Sequence, residues 1–173
     1  MSIIETLITD RMESDLTELK SLLSRPLDDW TAEELAWFND AAIKGAYNYT
    51  DLNRVTAAME YLHGLLTGYG YATGYTPVIV DPGRTEWRSS DIPTKNKMEQ
   101  YGRNISSLRS VLASLPTTPN APDDMDGLTI EDANNIEQIL ADIDEIITAM
   151  SKIFLRSNML WTVSGGPEFY FAN

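Results

Sequence analysis

The clearest pattern along the chain is a long apolar stripe that begins after Thr129 and ends near Arg156. Its members recur at alternating spacings of three and four, which places them on one face of a helix. They are Ala133, Ile136, Leu140, Ile143, Ile147, Met150 and Phe154, flanked by Ile139, Ile146 and Ile153. A capping box of Thr129 and Asp132 opens this helix, and no proline or glycine interrupts it. So wide a stripe is typical of the central helix of a bundle.

Two shorter helices are predicted before it, near the N-terminus. Thr9 or Asp10 caps the first, which ends before Pro26 because the residue preceding a proline avoids the helical conformation. A second capping box, Thr31 with Glu34, opens a short helix. The residues expected to point inward are Met12, Leu16, Leu19 and Leu23 in the first helix and Leu35 and Phe38 in the second.

Two further long helices are predicted between these and the central one. Thr50 caps the first and Gly68 is its expected left-handed terminator, while Pro93–Thr94 starts the second. Their inward residues are Leu52, Val55, Met59, Leu62 and Leu66, then Met98, Tyr101, Ile105, Leu108, Leu112 and Leu115. The irregular segment Tyr69–Asp91 separates them and leaves room for an edge strand at Val78–Val80. A loop of this length is usually functional or mobile.

The C-terminal part changes character after Ser157. Met159–Val163 and Glu168–Phe171 are rich in apolar and aromatic residues and flank Ser-Gly-Gly-Pro, a pattern typical of a β-hairpin. We therefore predict an all-α protein, an antiparallel helical bundle of four main helices with a short extra helix and a C-terminal β-hairpin. Residues 1–157 form the predicted bundle domain, and residues 158–173 form the aromatic tail.

Composition narrows the possible functions more than it identifies one. The chain has no cysteine, which excludes disulfides, thiolate metal sites and cysteine nucleophiles. The chain has 13 basic and 26 acidic residues, which gives a net charge of −13, and the basic residues are scattered along it. We therefore expect no nucleic-acid partner. Without a basic leader or a long apolar run, neither a signal peptide nor a membrane span is expected.

The candidates for chemistry are few, and each has a simpler structural explanation. His63 is the only histidine and has no partner motif, so we expect a partly buried or surface side chain. The acidic segment Asp123–Gly127 fails the ligand spacing of a calcium loop. Asp142, Asp144 and Glu145 could pair for acid–base work, but acids on a long helix usually form its solvated face. We predict no enzyme activity, no cofactor and no metal.

Aromatic residues in the long loop and the tail are the remaining candidates. They either form a local core or contact a partner, because aromatics are enriched in binding hot spots. The predicted partner-contact residues are Tyr69, Tyr71, Tyr75, Trp161, Phe169, Tyr170 and Phe171.

Several segments in order carry a resemblance to a known family. They are Asp29–Phe38, Lys44–Asn48, Thr50–Val55, Ala58–Leu62, Glu86–Trp87, Asp91–Thr94, Met98–Tyr101, Leu128–Thr129 and Asp132–Glu137. Together they resemble a small helical domain that recurs in virion structural proteins of phages and prophages of gut Firmicutes, particularly tail and baseplate-type proteins. The resemblance covers roughly residues 9 to 171. Members of this family often end in a short aromatic and glycine segment, as Trp161–Phe171 does.

The resemblance implies a non-enzymatic virion structural or assembly module. Such a module is made in the bacterial host cytoplasm and acts through contacts with other virion proteins or with copies of itself. No membrane or small-molecule substrate is expected. A small cytoplasmic adaptor or regulatory binding protein, of the phage or its host, is the alternative. The part of the virion, its symmetry and the identity of the partner are left open.

Overall fold

The computed structural model describes residues 2–39, 43–71, 74 and 86–163, with side chains up to residue 153. After a 3-10 helix at Ile3–Thr6, the chain forms α1 (Glu13–Leu23), α2 (Ala32–Asn39), α3 (Tyr49–Gly68), α4 (Lys95–Val111) and α5 (Ile130–Val163). A second 3-10 helix, Leu27–Asp29, precedes α2. These described ranges contain no strand, so the all-α class with four longer helices and one short helix is confirmed.

The main hydrophobic core lies between α3, α4 and α5. The predicted stripe of α5 supplies one side of it, and both Leu140 and the flanking Ile139 are fully buried. The other fully buried core residues are Val55, Ala58, Met59, Leu62, Leu66, Tyr101, Ile105, Leu108 and Ile136. Leu19 and Leu22 of α1 are also buried, but they do not belong to this core cluster. Three long helices, rather than four, therefore build the main core of the described chain.

The N-terminal halves of the three core helices lie together. Arg54, one turn into α3, donates hydrogen bonds to Glu137 of α5. Met98, in the first turn of α4, lines a cavity with Leu52 of α3 and with Leu128, which directly precedes α5. The three helices thus start at the same end of the bundle.

The C-terminal parts of the same helices meet at the opposite end. Gly68 of α3 and Leu112, the residue after α4, surround one groove with Ile147 of α5. The helices therefore run parallel, and the predicted antiparallel arrangement is wrong. Both connectors, 69–94 and 112–129, are long enough to return along the bundle before the next helix starts. The sequence pattern of the helices alone does not distinguish the two directions.

The predicted inward faces of α1 and α2 are correct only in part. α1 begins later than predicted, since its N-cap is Met12, whose N–H donates to Asp15 at 2.7 Å. Met12 itself is 60% exposed. In α2 the capping box of Thr31 and Glu34 forms. Phe38 is exposed rather than inward, because its ring packs edge-on against Trp30 at 5.1 Å and not against the main core. Leu23 and Leu35 are exposed as well.

The ends of α3 differ by two residues from the prediction. Asn48, not Thr50, is the N-cap, and its side-chain oxygen accepts from the Thr50 N–H at 2.8 Å. Asp51 completes this cap by accepting from the Asn48 N–H at 2.8 Å. At the other end Gly68 is still helical, and Gly70 adopts the left-handed conformation with φ 83°.

The predicted C-terminal β-hairpin is not supported. Its first strand, Met159–Val163, is the last part of α5, which also runs through the predicted boundary between residues 157 and 158. No glycine or proline occurs between Ile130 and Gly165, and extending an existing helix avoids the cost of nucleation. The second predicted strand, Glu168–Phe171, and the edge strand Val78–Val80 lie outside the ranges that the structure describes.

Candidate functional site

The end of α3 positions two of the predicted partner-contact tyrosines. Gly70 takes the left-handed conformation that glycine adopts without steric penalty. This turn lets the Tyr71 N–H donate to the Leu66 carbonyl at 2.9 Å and the Gly70 N–H donate to the Thr67 carbonyl at 3.0 Å. The pair of bonds is a Schellman motif. It places Tyr69 and Tyr71 on either side of the turn, at the C-terminal end of the bundle.

These tyrosines line an apolar groove, which we call the aromatic groove. Its volume is about 590 Å³, and its described lining residues are Gly68, Tyr69, Tyr71, Leu112, Ile147, Met150 and Ser151. Ile147 is buried, whereas Tyr69 is 57% exposed. Tyr71 and Leu112 are half-buried and pack against the main core. None of these lining side chains carries a charge, so the groove suits an apolar or aromatic surface.

The structure brings together only part of the predicted contact set. Tyr69 and Tyr71 share the aromatic groove. The backbone at Trp161 is helical, but its side chain is not among those described. The other members, Tyr75, Phe169, Tyr170 and Phe171, lie outside the described part of the chain.

Two groove residues were not expected to reach the surface. Leu112 and Met150 belong to the helical stripes and were expected in the core, where Ile147 is indeed buried. They reach the surface because α3 ends at Gly68 and α4 ends at Val111. Beyond those ends, the stripe of α5 has no neighbouring α3 or α4 helix to cover it.

A cluster of four charged side chains lies at the other end of the bundle, with Arg11, Asp51 and Glu137 buried and Arg54 partly exposed. Arg11 donates to Asp51 at 2.9 Å and to Glu137 at 2.6 Å. Arg54 reaches the same two carboxylates, at 2.5 Å and 2.8 Å. The Arg11 and Glu137 side chains are 1% and 0% exposed. Two positive and two negative charges balance one another, which is the arrangement in which buried charges are tolerated.

This charged cluster also anchors the N-terminal segment to the bundle. The Ile8 N–H donates to Glu137 at 2.6 Å. Asn134 of α5 accepts from the Arg11 N–H at 3.0 Å and donates to the Arg11 carbonyl at 2.9 Å. Burial opposes the positive charge of Arg54, but Glu137 and Asp51 outweigh that effect and raise the pKa of its guanidinium.

Sequence reasoning did not identify the charged cluster, although one signal was present. Glu137 lies four residues after Ala133 and three before Leu140, which is the spacing of the apolar stripe itself. A charged residue in a core position indicates a buried partner. The identity of that partner could not be read from the sequence, because Arg11 is far away along the chain.

A pair of tyrosines borders the cluster. The hydroxyls of Tyr47 and Tyr101 share a hydrogen bond of 2.6 Å, and the Arg11 guanidinium lies 5.6 Å from the centre of the Tyr47 ring. Burial is the main cause that raises the pKa of both phenols well above the ordinary value. Both hydroxyls therefore stay protonated at neutral pH, and neither can act as a phenolate base there.

The acidic candidates of α5 lie in different environments. Asp142 is buried, contrary to the expected solvated face, and it accepts from Thr118 at 2.5 Å and from Gln138 at 2.6 Å. The Thr118 bond holds the connector 112–129 against α5, whereas the Gln138 bond lies within α5. Burial raises the pKa of Asp144, while Glu145 is exposed. Over the part of the chain with described positions, no group of His, Asp and Glu side chains could hold a metal ion.

The two remaining candidates are His63 and the acidic connector. His63 is half-buried on α3, in agreement with the expectation from sequence. In the acidic connector the Asp126 N–H donates to Asp124, a local turn contact. Among the described helices, none is long and apolar enough to cross a membrane.

Comparison with known proteins adds no relative. The chain matches no family model, no curated protein and no solved structure.

Proposed function

We propose that this chain is a non-enzymatic protein-interaction module that contacts copies of itself through the aromatic groove. The observation that carries the proposal is the exposure of Tyr69 beside the apolar side chains of Leu112 and Met150. Exposed apolar concavities of this kind often mark interaction sites. Tyrosine suits such a site, because it supplies a large contact area at a low cost in conformational entropy.

The rest of the structure is consistent with the bundle acting as a scaffold for the aromatic groove. The charged cluster is balanced, buried and fixed by hydrogen bonds between the N-terminal segment and two helices. Such an arrangement stabilises one geometry and offers no reactive group to a substrate. The bundle therefore serves as a rigid carrier for the aromatic groove.

The setting that we propose is a phage virion, in which many copies of one chain meet. It rests on the sequence resemblance to tail and baseplate-type proteins. In that setting the module is a structural or assembly component, and its partners are its own copies and neighbouring virion proteins.

The test is a light-scattering concentration series on three proteins: the unmodified chain, Tyr69→Ser and the control Tyr61→Ser. Tyr61 also belongs to α3 and is 40% exposed, but it does not line the groove. We expect the unmodified chain and Tyr61→Ser to associate similarly. Tyr69→Ser should associate about thirtyfold more weakly, the equivalent of losing a hot spot of about 2 kcal/mol.

Circular dichroism of the three proteins checks that both serine variants remain folded. An unmodified chain that stays monomeric at the highest concentration contradicts the proposal. Equal association of Tyr69→Ser and Tyr61→Ser contradicts it as well.

A further inference from the structure

The two N-terminal helices, α1 and α2, pack outside the main core. Leu19 and Leu22 of α1 are buried but do not belong to the main core cluster. α2 has no buried residue, and its Leu35 and Phe38 are 42% and 37% exposed. A helix of eight residues is marginal in water without packing. Within the described chain, α2 therefore lacks a surface that covers it.

A groove between α1 and α2, which we call the acidic groove, is open to such a covering surface. Its volume is about 340 Å³. The buried Leu22 and the half-buried Trp37 form its apolar part. Its polar part contains one guanidinium and three carboxylates, those of Arg25, Glu18, Glu33 and Glu34.

The charges of the acidic groove are not balanced. Arg25 forms an ion pair with Glu34. Glu18 and Glu33 form no ion pair with any described residue. The segment 13–39 holds 27 of the 173 residues, yet its seven acidic and two basic side chains supply five of the 13 excess negative charges. Negative charge is thus concentrated around an apolar groove between two helices.

The chemistry of the groove selects its occupant. We propose that the acidic groove binds a basic amphipathic helix of another protein, laid between α1 and α2. Apolar side chains of the partner would pack on Leu22 and Trp37, and its lysine or arginine side chains would pair with Glu18 and Glu33. A cation over the Trp37 ring adds a further attraction. A second copy of the chain is disfavoured, because it brings a net charge of −13 to a negative surface.

The acidic groove is separate from the aromatic groove. The two grooves have no described lining residue in common. Arg11, two residues before α1, belongs to the charged cluster at the opposite end of the bundle from the aromatic groove. The proposal therefore goes beyond the proposed function, and binding at the acidic groove does not require contact between copies.

The probe that tests the proposal is a fluorescent peptide of about four helical turns, roughly 14 residues. It carries leucine at three-and-four spacing and lysine elsewhere. Fluorescence anisotropy measures its binding to the unmodified chain, to Ser21→Arg and to the control Ser106→Arg. Ser21 lines the acidic groove, whereas Ser106 is exposed on α4 and does not line it. Both substitutions change the net charge equally, but only Ser21→Arg should weaken binding, by at least about tenfold.

A second pair of variants keeps the test valid if circular dichroism shows that Ser21→Arg does not fold. Glu18→Gln with Glu33→Gln removes the two carboxylates without an ion pair and should weaken peptide binding about fivefold, as expected for two exposed ion pairs. The matched control is Glu131→Gln with Glu145→Gln, which changes two exposed acids of α5. It should leave the affinity unchanged.

An unmodified chain that does not bind the peptide overturns the proposal. Equal weakening by Ser21→Arg and Ser106→Arg also overturns it, because the peptide is then attracted only by the net charge. Equal binding of a scrambled peptide of the same composition shows that no amphipathic helix is recognised. Weakened binding to Tyr69→Ser with unchanged binding to Ser21→Arg places the peptide in the aromatic groove instead. Self-association in light scattering that is lost in Ser21→Arg assigns the acidic groove to a second copy.

Discussion

Replacing Glu137 with glutamine tests how strongly the charged cluster stabilises the fold. The Glu137 carboxylate is fully buried and accepts from the Ile8 N–H, from Arg11, and from two nitrogens of Arg54. Glutamine keeps the size of the side chain but removes its charge, and its amide nitrogen cannot accept. The buried guanidinium of Arg11 and the partly exposed one of Arg54 then face Asp51 alone, which leaves one positive charge uncompensated.

Removing one partner of a buried ion pair typically costs about 3–5 kcal/mol. A protein of this kind has a total stability of about 5–15 kcal/mol, so the loss is a large fraction of it. For a urea m-value of about 2 kcal/mol/M, a loss of about 4 kcal/mol lowers the unfolding midpoint by roughly 2 M. Urea unfolding followed by circular dichroism measures this shift.

Glu145→Gln is the matched control, because Glu145 lies on the same helix and is exposed. It should change the stability by less than about 0.5 kcal/mol. A second variant, Arg54→Met with Glu137→Met, removes one positive and one negative charge together. It should lose less stability than Glu137→Gln, because the cluster is neutral again. A loss below about 1 kcal/mol for Glu137→Gln would refute this reasoning.

Three further predictions follow from the described core. Leu140→Ala should cost about 2–5 kcal/mol in urea unfolding, since this side chain is fully buried; a surface-like cost would show that the stripe is not core. Burial raises the pKa of the Tyr101 phenol in the folded protein, so the unfolded chain loses this proton at a lower pH. The free energy of unfolding therefore falls as the pH rises above about 10, by about 1.4 kcal/mol per pH unit for this group. Tyr101→Phe should reduce that slope in alkaline unfolding curves, and an unchanged slope would contradict the assignment. Gly45→Ala should destabilise the folded protein, because a Cβ atom there would lie 2.3 Å from the Asp15 carbonyl oxygen. At Gly64 an added Cβ meets no neighbour, so Gly64→Ala should raise the free energy of unfolding by about 0.5–1 kcal/mol; thermal unfolding of both variants measures the difference.

The sequence predicted the helices well because the signals that define them are local. The three-and-four spacing around Leu140 and the capping boxes at Thr31 and Thr129 depend on neighbours within a few residues. Extension of α5 beyond Ser157 was missed because Met159–Val163 also fits a strand pattern. At that position the helix already present decides the conformation, since propagation is easier than nucleation.

The direction of the helices and the charged cluster were missed because they depend on distant residues. A long connector allows either direction, and only contacts such as that between Arg54 and Glu137 establish the parallel arrangement. The stripe spacing of Glu137 indicated burial but not its partner. Asp142 gave no sign of burial, because charges on a helix usually face water. The aromatic groove was predicted in part, through Tyr69 and Tyr71. The opposite wall of the groove, formed by Leu112, Ile147 and Met150, depends on where α3 and α4 end relative to α5.

Hydroxyl-radical footprinting of the associating chain tests the central claim most directly, because this label modifies accessible tyrosine and methionine side chains. Oxidation is compared below and above the concentration at which light scattering detects association. We expect Tyr69 and Met150 to become protected in the assembled state. Met12 and Tyr61, which are exposed away from the groove, should keep their reactivity. Unchanged oxidation of Tyr69 and Met150 in the assembled state would contradict the assignment of the aromatic groove as the interaction surface.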